Sequence, residues 1–198
     1  MATDIRKIIE NLLTVYDFSG RTIIVVGGGG GQFIEYGRSA KQILALDNDA
    51  EAILKLRENL KNAGLEDKFT PILGDFFDAR LKGDGLLFEF CLHEMSDPKA
   101  AVEHAQTLTS DIIILDHWPG SEWIYYGAEE DKVAASWASL GSFDFKKKQK
   151  YDAVHFFRDY DELHQKVKGQ GDLSLARIEK FREKKNIAIP LSYGIAVI

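Results

Sequence analysis

The stretch TIIVVGGGGGQFIEYGRSAKQILALDND, residues 22–49, decides the fold. Thr22–Val26 is a continuous apolar, β-branched run, the pattern of a strand buried on both faces of a parallel sheet. Five glycines follow, Gly27 to Gly31, and glycine permits positive φ and close backbone approach because it has no Cβ. The spacing of residues 32–40 predicts a helix whose first turn would offer free N–H groups and a positive dipole end. A second strand, 42–46, then ends in Asp47. A glycine turn with an acidic residue about 20 positions later is the signal of a nucleotide or nucleoside cofactor.

Register separates the cofactors. A dinucleotide fingerprint needs G-x-G-x-x-G or a terminal Ala. The frames that start at Gly27, Gly28 and Gly29 end in Gln32, Phe33 and Ile34, and none fits. A Walker loop needs Lys after the glycines, and the first lysine is Lys41. The frame that fits is G-x-G-x-G at Gly27, Gly29 and Gly31. With Asp47, this resembles the class I, Rossmann-like S-adenosylmethionine (SAM) methyltransferases. The resemblance implies a doubly wound, mostly parallel seven-stranded α/β sheet with helices on both faces and an antiparallel C-terminal hairpin. It implies SAM as cofactor and S-adenosylhomocysteine as product.

The rest of the chain is read around that core. Residues 5–16 have the apolar spacing of an amphipathic helix. Asn48 or Asp49 can cap a helix over 50–63 that Gly64 stops. Strands are expected at 68–73, 85–90 and 111–115, with a helix at 97–107 opened by Pro98. Residues 121–140 read as one helix, 143–157 as extended at both ends, and 159–168 as a short helix. The runs 173–182 and 187–198 read as the closing hairpin. We expect one domain over 1–198, with residues 1–18, including Tyr16, covering the site and residues 116–170 forming the acceptor side.

Asp47 at its strand end would accept hydrogen bonds from a ribose diol, with Asn48 beside it. Gly74-Asp75-Phe76 resembles the family's G-D-x segment, which implies that Asp75 receives the adenine amino group and that Phe76 lies near the base. The family usually carries an acid two positions before the first glycine, where it helps hold the SAM ammonium. This chain has Val25 there. Glu89 stands in an otherwise apolar strand, followed by Phe90, and a buried carboxylate is costly unless paired. We expect Glu89 to replace the missing acid.

The run FCLHEMSDP, residues 90–98, resembles the L-H-H…D-P stretch of small-molecule methyltransferases, with His93 on the first histidine and Glu94 in place of the second. His117 ends the fifth strand. A neutral histidine serves as base near pH 7, so His93 and His117 are the catalytic candidates. His93 and His117, with Glu94 and with Asp116 beside His117, could ligate Zn²⁺ or Fe²⁺, but they come from separate strand ends without i, i+3 or i, i+4 histidine spacing, so no metal is expected. Cys91 reads as a small buried hydrophobe, and no G-x-S-x-G nucleophile elbow occurs.

Composition narrows partners. With 198 residues and one cysteine, no disulfide can form within the chain, and the charged start MATDIRKIIE lacks a signal peptide's apolar core. A cytoplasmic protein is expected. A net charge of −6 argues against nucleic acid and no stretch suits a membrane, so the expected partner is a small-molecule acceptor. Residues 146–150 form a lysine-rich run that reads as a solvated strand face. Three rival functions stand beside this one: a nicotinamide-dependent oxidoreductase, which the glycine register disfavours, a non-catalytic SAM-binding or regulatory subunit, which Val25 leaves open, and a methyltransferase acting on protein or RNA.

Overall fold

The run TIIVV lies in the middle of one sheet. A computed structural model describes residues 2–198. In chain order its strands are β1 (Ala2–Thr3), β2 (Thr22–Val26), β3 (Gln42–Asp47), β4 (Phe69–Leu73), β5 (Gly85–Glu89), β6 (Ile112–His117), β7 (Lys147–Asp159) and β8 (Lys185–Val197). Their spatial order is β1-β7-β8-β6-β5-β2-β3-β4. The five strands from β6 to β4 pair in parallel, while β8 runs antiparallel to β6 and β7. The seven long strands give the expected sheet, and the two-residue β1 extends its edge.

Alternation along each central strand feeds two cores. Ile23, Val25, Leu87 and Ile113 face one side, where α1 (Ile5–Val15) and α2 (Ala50–Ala63) pack. Ile24, Val26, Phe88 and Ile114 face the other, against α3 (Pro98–Leu108). Asp49, one of the two expected caps, accepts from the Glu51 N–H, and Gly64 takes the left-handed conformation that ends α2; Asp97, expected as the first helical residue, instead caps α3 by accepting from the Ala100 N–H. Strand order reverses between β2 and β5, so the crevice outside their carboxyl ends is the place for a ligand.

Four expectations are corrected. Residues 32–40 form no α-helix but a 3-10 turn, Ile34–Arg38, because Gly37 is pressed so close to the Phe69 ring that a Cβ would lie 2.3 Å from it. The helix over 121–140 breaks at Ala128, which adopts φ 56°, into α4 (Glu122–Gly127) and α5 (Glu130–Ser139). Residues 173–182 are not a strand. They lie in α7 (Asp172–Ile178) and a following 3-10 turn, after α6 (Tyr160–Val167), and bury Ser174, Ile178 and Phe181 at helical spacing. The hairpin partner of β8 is therefore β7. Finally, Tyr16 does not cover the cofactor crevice. Its hydroxyl donates to Asp111 Oδ2 at 2.9 Å, at the opposite, amino edge of the sheet, and burial with Asp111 pushes its pKa up to about 12.

Candidate active site

Three alternate glycines carry the strain of the loop. Gly27, Gly29 and Gly31 adopt φ of 75°, 45° and 72°, whereas Gly28 and Gly30 do not enter the positive region. These are the three positions of the G-x-G-x-G register. A Cβ on Gly27 would lie 2.3 Å from Cys91 Cβ. Gly31 meets Leu56 of α2 and serves helix packing rather than the crevice. Asp47 fastens the loop: its Oδ2 accepts from the Gly29 N–H at 3.1 Å and its Oδ1 from the Asp49 N–H at 3.0 Å.

Two cavities meet at Gly27 and Glu94. The first, of about 360 Å³, is lined by Asp47, Asn48, Asp75 and Phe76. Asp75 accepts from the Phe77 N–H at 2.7 Å. Phe76 lines the cavity but is buried, with its ring edge-on to Phe88 and to His104 at centroid distances of 5.4 and 4.9 Å. Cys91 donates its thiol to the Val26 carbonyl, and burial pushes its pKa well up, which leaves it unreactive.

The second cavity, of about 250 Å³, is lined by Gly27–Gly30, Glu89, Phe90, His93 and His117, with Ile8 of α1 on its wall. Glu89 is buried and accepts from the Tyr36 hydroxyl at 2.6 Å. Burial raises its pKa to about 8, further lifted by Asp47 and only partly offset by the Tyr36 hydrogen bond. Phe90 sits at φ 49°, uncommon for an aromatic residue. Its N–H bonds the Leu115 carbonyl at 2.7 Å, and its ring stacks on Phe33 and tilts against His117.

His93 is held from behind. Asp116 Oδ1 pairs with its Nδ1 at 2.6 Å, and Asp116 Oδ2 accepts from its backbone N–H at 3.0 Å. Burial opposes the charged ring, but Asp116, Glu129 and Glu94 together outweigh it and raise the pKa. His117 is the reverse case. Burial, then the proximity of His93, holds its pKa well below the ordinary range, and its buried Nδ1 has no hydrogen-bond partner.

The structure adds residues that the sequence reading passed over. Tyr36 came from a segment read as helix, Asp116 was read beside His117 and not as the anchor of His93, and Glu129 was lost inside the supposed long helix. Gly127, interrupting a helical pattern just before the break, was the available signal. Lys166 and Gln170 reach the same cavity from α6 and the turn after it. The structure also unites what spacing kept apart: ring nitrogens of His93 and His117 and a carboxylate oxygen of Glu129 lie within 4.8 Å of one another.

Among known proteins, the model of the family described as RNA cap guanine-N2 methyltransferase matches residues 20–188. No curated protein matches the sequence. Solved structures share the fold. A SAM-dependent methyltransferase from Aquifex aeolicus is 14% identical with a TM-score of 0.65, covering 98% of this chain and 97% of that one. A protein proposed as an RNA methyltransferase from Pyrococcus horikoshii is 13% identical with a TM-score of 0.57, covering 98% and 81%. A precorrin 8w decarboxylase from Methanobacterium thermoautotrophicum is 15% identical with a TM-score of 0.61, covering 100% and 90%. At such identities the likeness extends to the fold and no further.

Proposed function

The chain belongs to the family described as RNA cap guanine-N2 methyltransferase, and from that premise we propose that it moves the methyl group of SAM to a small-molecule acceptor seated in the histidine-lined cavity. SAM-dependent methyl transfer is the family's chemistry; the acceptor and the residue roles are our reading. One observation carries it. The crevice divides into a carboxylate-lined half, suited to a nucleoside, and a walled half of about 250 Å³ in which His93 faces the glycine loop.

The donor set suits SAM. Asp47 and Asp75 would take the ribose hydroxyls and the adenine amine, with Asn48 and Phe76 as the wall of that half. Gly27 and Gly29 leave room beside the chain, and Gly31 fixes the loop on α2. Glu89, with Phe90 after it, would hold the ammonium from the end of β5. This supports the replacement of the family's usual acid, since Val25 is fully buried in the core. Bound SAM supplies an electrophilic methyl group on a sulfonium. The chain would align the acceptor in this cavity, and His93 Nε2 would take the proton that the acceptor gives up on methylation. Asp116 then stabilises the imidazolium. His117, kept neutral, orients the acceptor.

We take residues 1–198 as a single cytoplasmic domain. Of residues 1–18, with Met1 outside the described residues, Ile8 of α1 would cover the methionine side, and residues 116–170 would supply His117, Trp123, Glu129 and Lys166 to the acceptor wall. Among the described residues no helix is long and apolar enough to cross a membrane.

The family description favours a capped RNA as the competing acceptor. Against it stand the net charge of −6 and the state of the lysine run. Lys146 pairs with Asp111 at 2.8 Å, Lys147 donates to the Val15 carbonyl, Lys148 lies over the Phe145 and Trp137 rings, and Lys150 meets Asp152. S-adenosylhomocysteine release across a panel of small phenols, amines and thiols, with a capped oligonucleotide alongside, tests the acceptor. We expect turnover within the small-molecule panel; turnover with the oligonucleotide alone would overturn it.

A further inference from the structure

The histidine cavity gathers more ligating atoms than one proton transfer uses. His93, His117 and Glu129 come from a 3-10 turn, a strand end and the residue before α5, and only the fold unites them. We propose that these three side chains bind a divalent first-row transition-metal ion, with His93 ligating through Nε2.

The support behind the ligands is what distinguishes this cluster. Metal-binding imidazoles characteristically give their other ring nitrogen to a carboxylate, which fixes ring and tautomer. His93 does so with Asp116 at 2.6 Å. Its Nε2 is left 3.9 Å from Glu129 Oε2 and 3.5 Å from Glu94 Oε1. Glu129 is anchored in the same way: Gln170 Nε2 donates to its Oε1 at 2.9 Å, which leaves Oε2 for the cavity. His117 carries a buried Nδ1 with no hydrogen-bond partner, a state that buried polar atoms rarely keep without a ligand to explain it.

Charge and ligand type agree. Apart from the protonated Glu89, this lining sets the carboxyl groups of Glu94 and Glu129 against the single amine of Lys166. Two imidazoles and one carboxylate suit zinc, iron or cobalt rather than calcium or magnesium, and three protein ligands leave positions open for an acceptor. Ligands about 2.1 Å from one ion lie at most roughly 4.2 Å apart; His93 Nε2 and Glu129 Oε2, at 3.9 Å, already meet that limit, and a small side-chain adjustment would close the set from the 4.8 Å within which all three ligand atoms lie. An ion on Nε2 takes the lone pair that would otherwise receive the proton. In the loaded protein the ion would stabilise a deprotonated oxygen of the acceptor instead. That acceptor class rests on the acceptor reading above; the ion site stands on the side chains alone.

The test uses the full chain freed of metal with a chelator, then titrated with Zn²⁺ by calorimetry and with Co²⁺ by visible absorption. We expect one equivalent of Zn²⁺ and a ligand-field band with Co²⁺. Glu129→Gln and His117→Ala should each weaken Zn²⁺ binding at least ~10-fold. Asp116→Asn, which touches no ion, should weaken it by about 10–100-fold. Far-UV circular dichroism of the metal-free variants establishes that each is folded. Absent Zn²⁺ binding, or binding equally tight in folded Glu129→Gln and His117→Ala, overturns the site. SAM titrated into the metal-free wild type reports separately: failure there strikes the cofactor reading and leaves the ion site untouched.

Discussion

Glu89 bears the consequence of having Val25 two positions before the glycines. Val25 points into the core, so no charge could stand there without an unpaired burial cost. The neighbouring strand brings a carboxyl group to the crevice instead, steadied by Tyr36. With its pKa raised to about 8 by burial, Glu89 is protonated in the free protein at neutral pH. Its contribution to stability is fully present below the ordinary carboxylate range and is lost as pH rises through about 8, since only the unfolded chain ionises in that window. The slope is at most about 1.4 kcal/mol per pH unit. Glu89→Gln should therefore flatten the decline of melting temperature between pH 5 and pH 8; a decline as steep as in the wild type would contradict the shift. A hydrogen bond to a charged group is worth about 1.5–3 kcal/mol, so the same variant should bind SAM ~10–100-fold more weakly by calorimetry. Gly27 gives a second test. Alanine there meets Cys91 Cβ at 2.3 Å at φ 75°, whereas at Gly28 the nearest atom is Val25 Cγ1 at 3.4 Å. The left-handed conformation alone costs about 1–2 kcal/mol, so Gly27→Ala should melt several degrees below Gly28→Ala. Equal melting temperatures would mean that the loop relaxes freely.

The turn after β5 and the end of β6 work as one device, because Asp116 on the strand grips both the ring and the backbone of His93 on the turn. Asp116→Asn removes the charge that holds the His93 pKa up against burial. In metal-free protein the acid limb of kcat should move to lower pH, and kcat should fall by about 10²–10⁴, the usual worth of a positioned base. KM for SAM should stay near wild type; a rise in KM with kcat preserved would reduce Asp116 to a structural anchor. What was legible in sequence follows from range. The strand 22–26, the glycine register, the cap at Asp49, the helix start at Pro98 and the stop at Gly64 are short-range signals, and local chemistry decided them. The 3-10 turn at 34–38 depends on Phe69 pressing against Gly37, which no local pattern reveals. The helix over 172–178 was read as a strand because its apolar residues also suit an extended run. Glu129 escaped notice because the left-handed break at Ala128 interrupts an otherwise helical pattern, and Glu129, between that break and α5, lines the cavity.

For the molecule as a whole, charge and topology point the same way. The sheet reverses direction between β2 and β5. Every residue proposed for the cofactor, apart from Gly31, lines one of the two cavities that open there. In the lysine run, Lys146, Lys147, Lys148 and Lys150 each have a partner within the fold. A protein of net charge −6 acting on a small neutral acceptor should show kcat/KM nearly independent of salt. A phosphate-gripping enzyme would instead lose affinity steeply, because each neutralised phosphate releases counterions. A fall of tenfold or more in kcat/KM between 50 and 200 mM salt would favour the nucleic-acid acceptor. SAM should lie across both cavities with Glu89 at its methionine end. A crystal structure with S-adenosylhomocysteine tests it most directly. We expect the ribose hydroxyls on Asp47, the adenine amine at Asp75 and the ammonium within hydrogen-bond reach of Glu89. A ligand whose amino-acid end turns elsewhere, leaving Glu89 to Tyr36 alone, would contradict it.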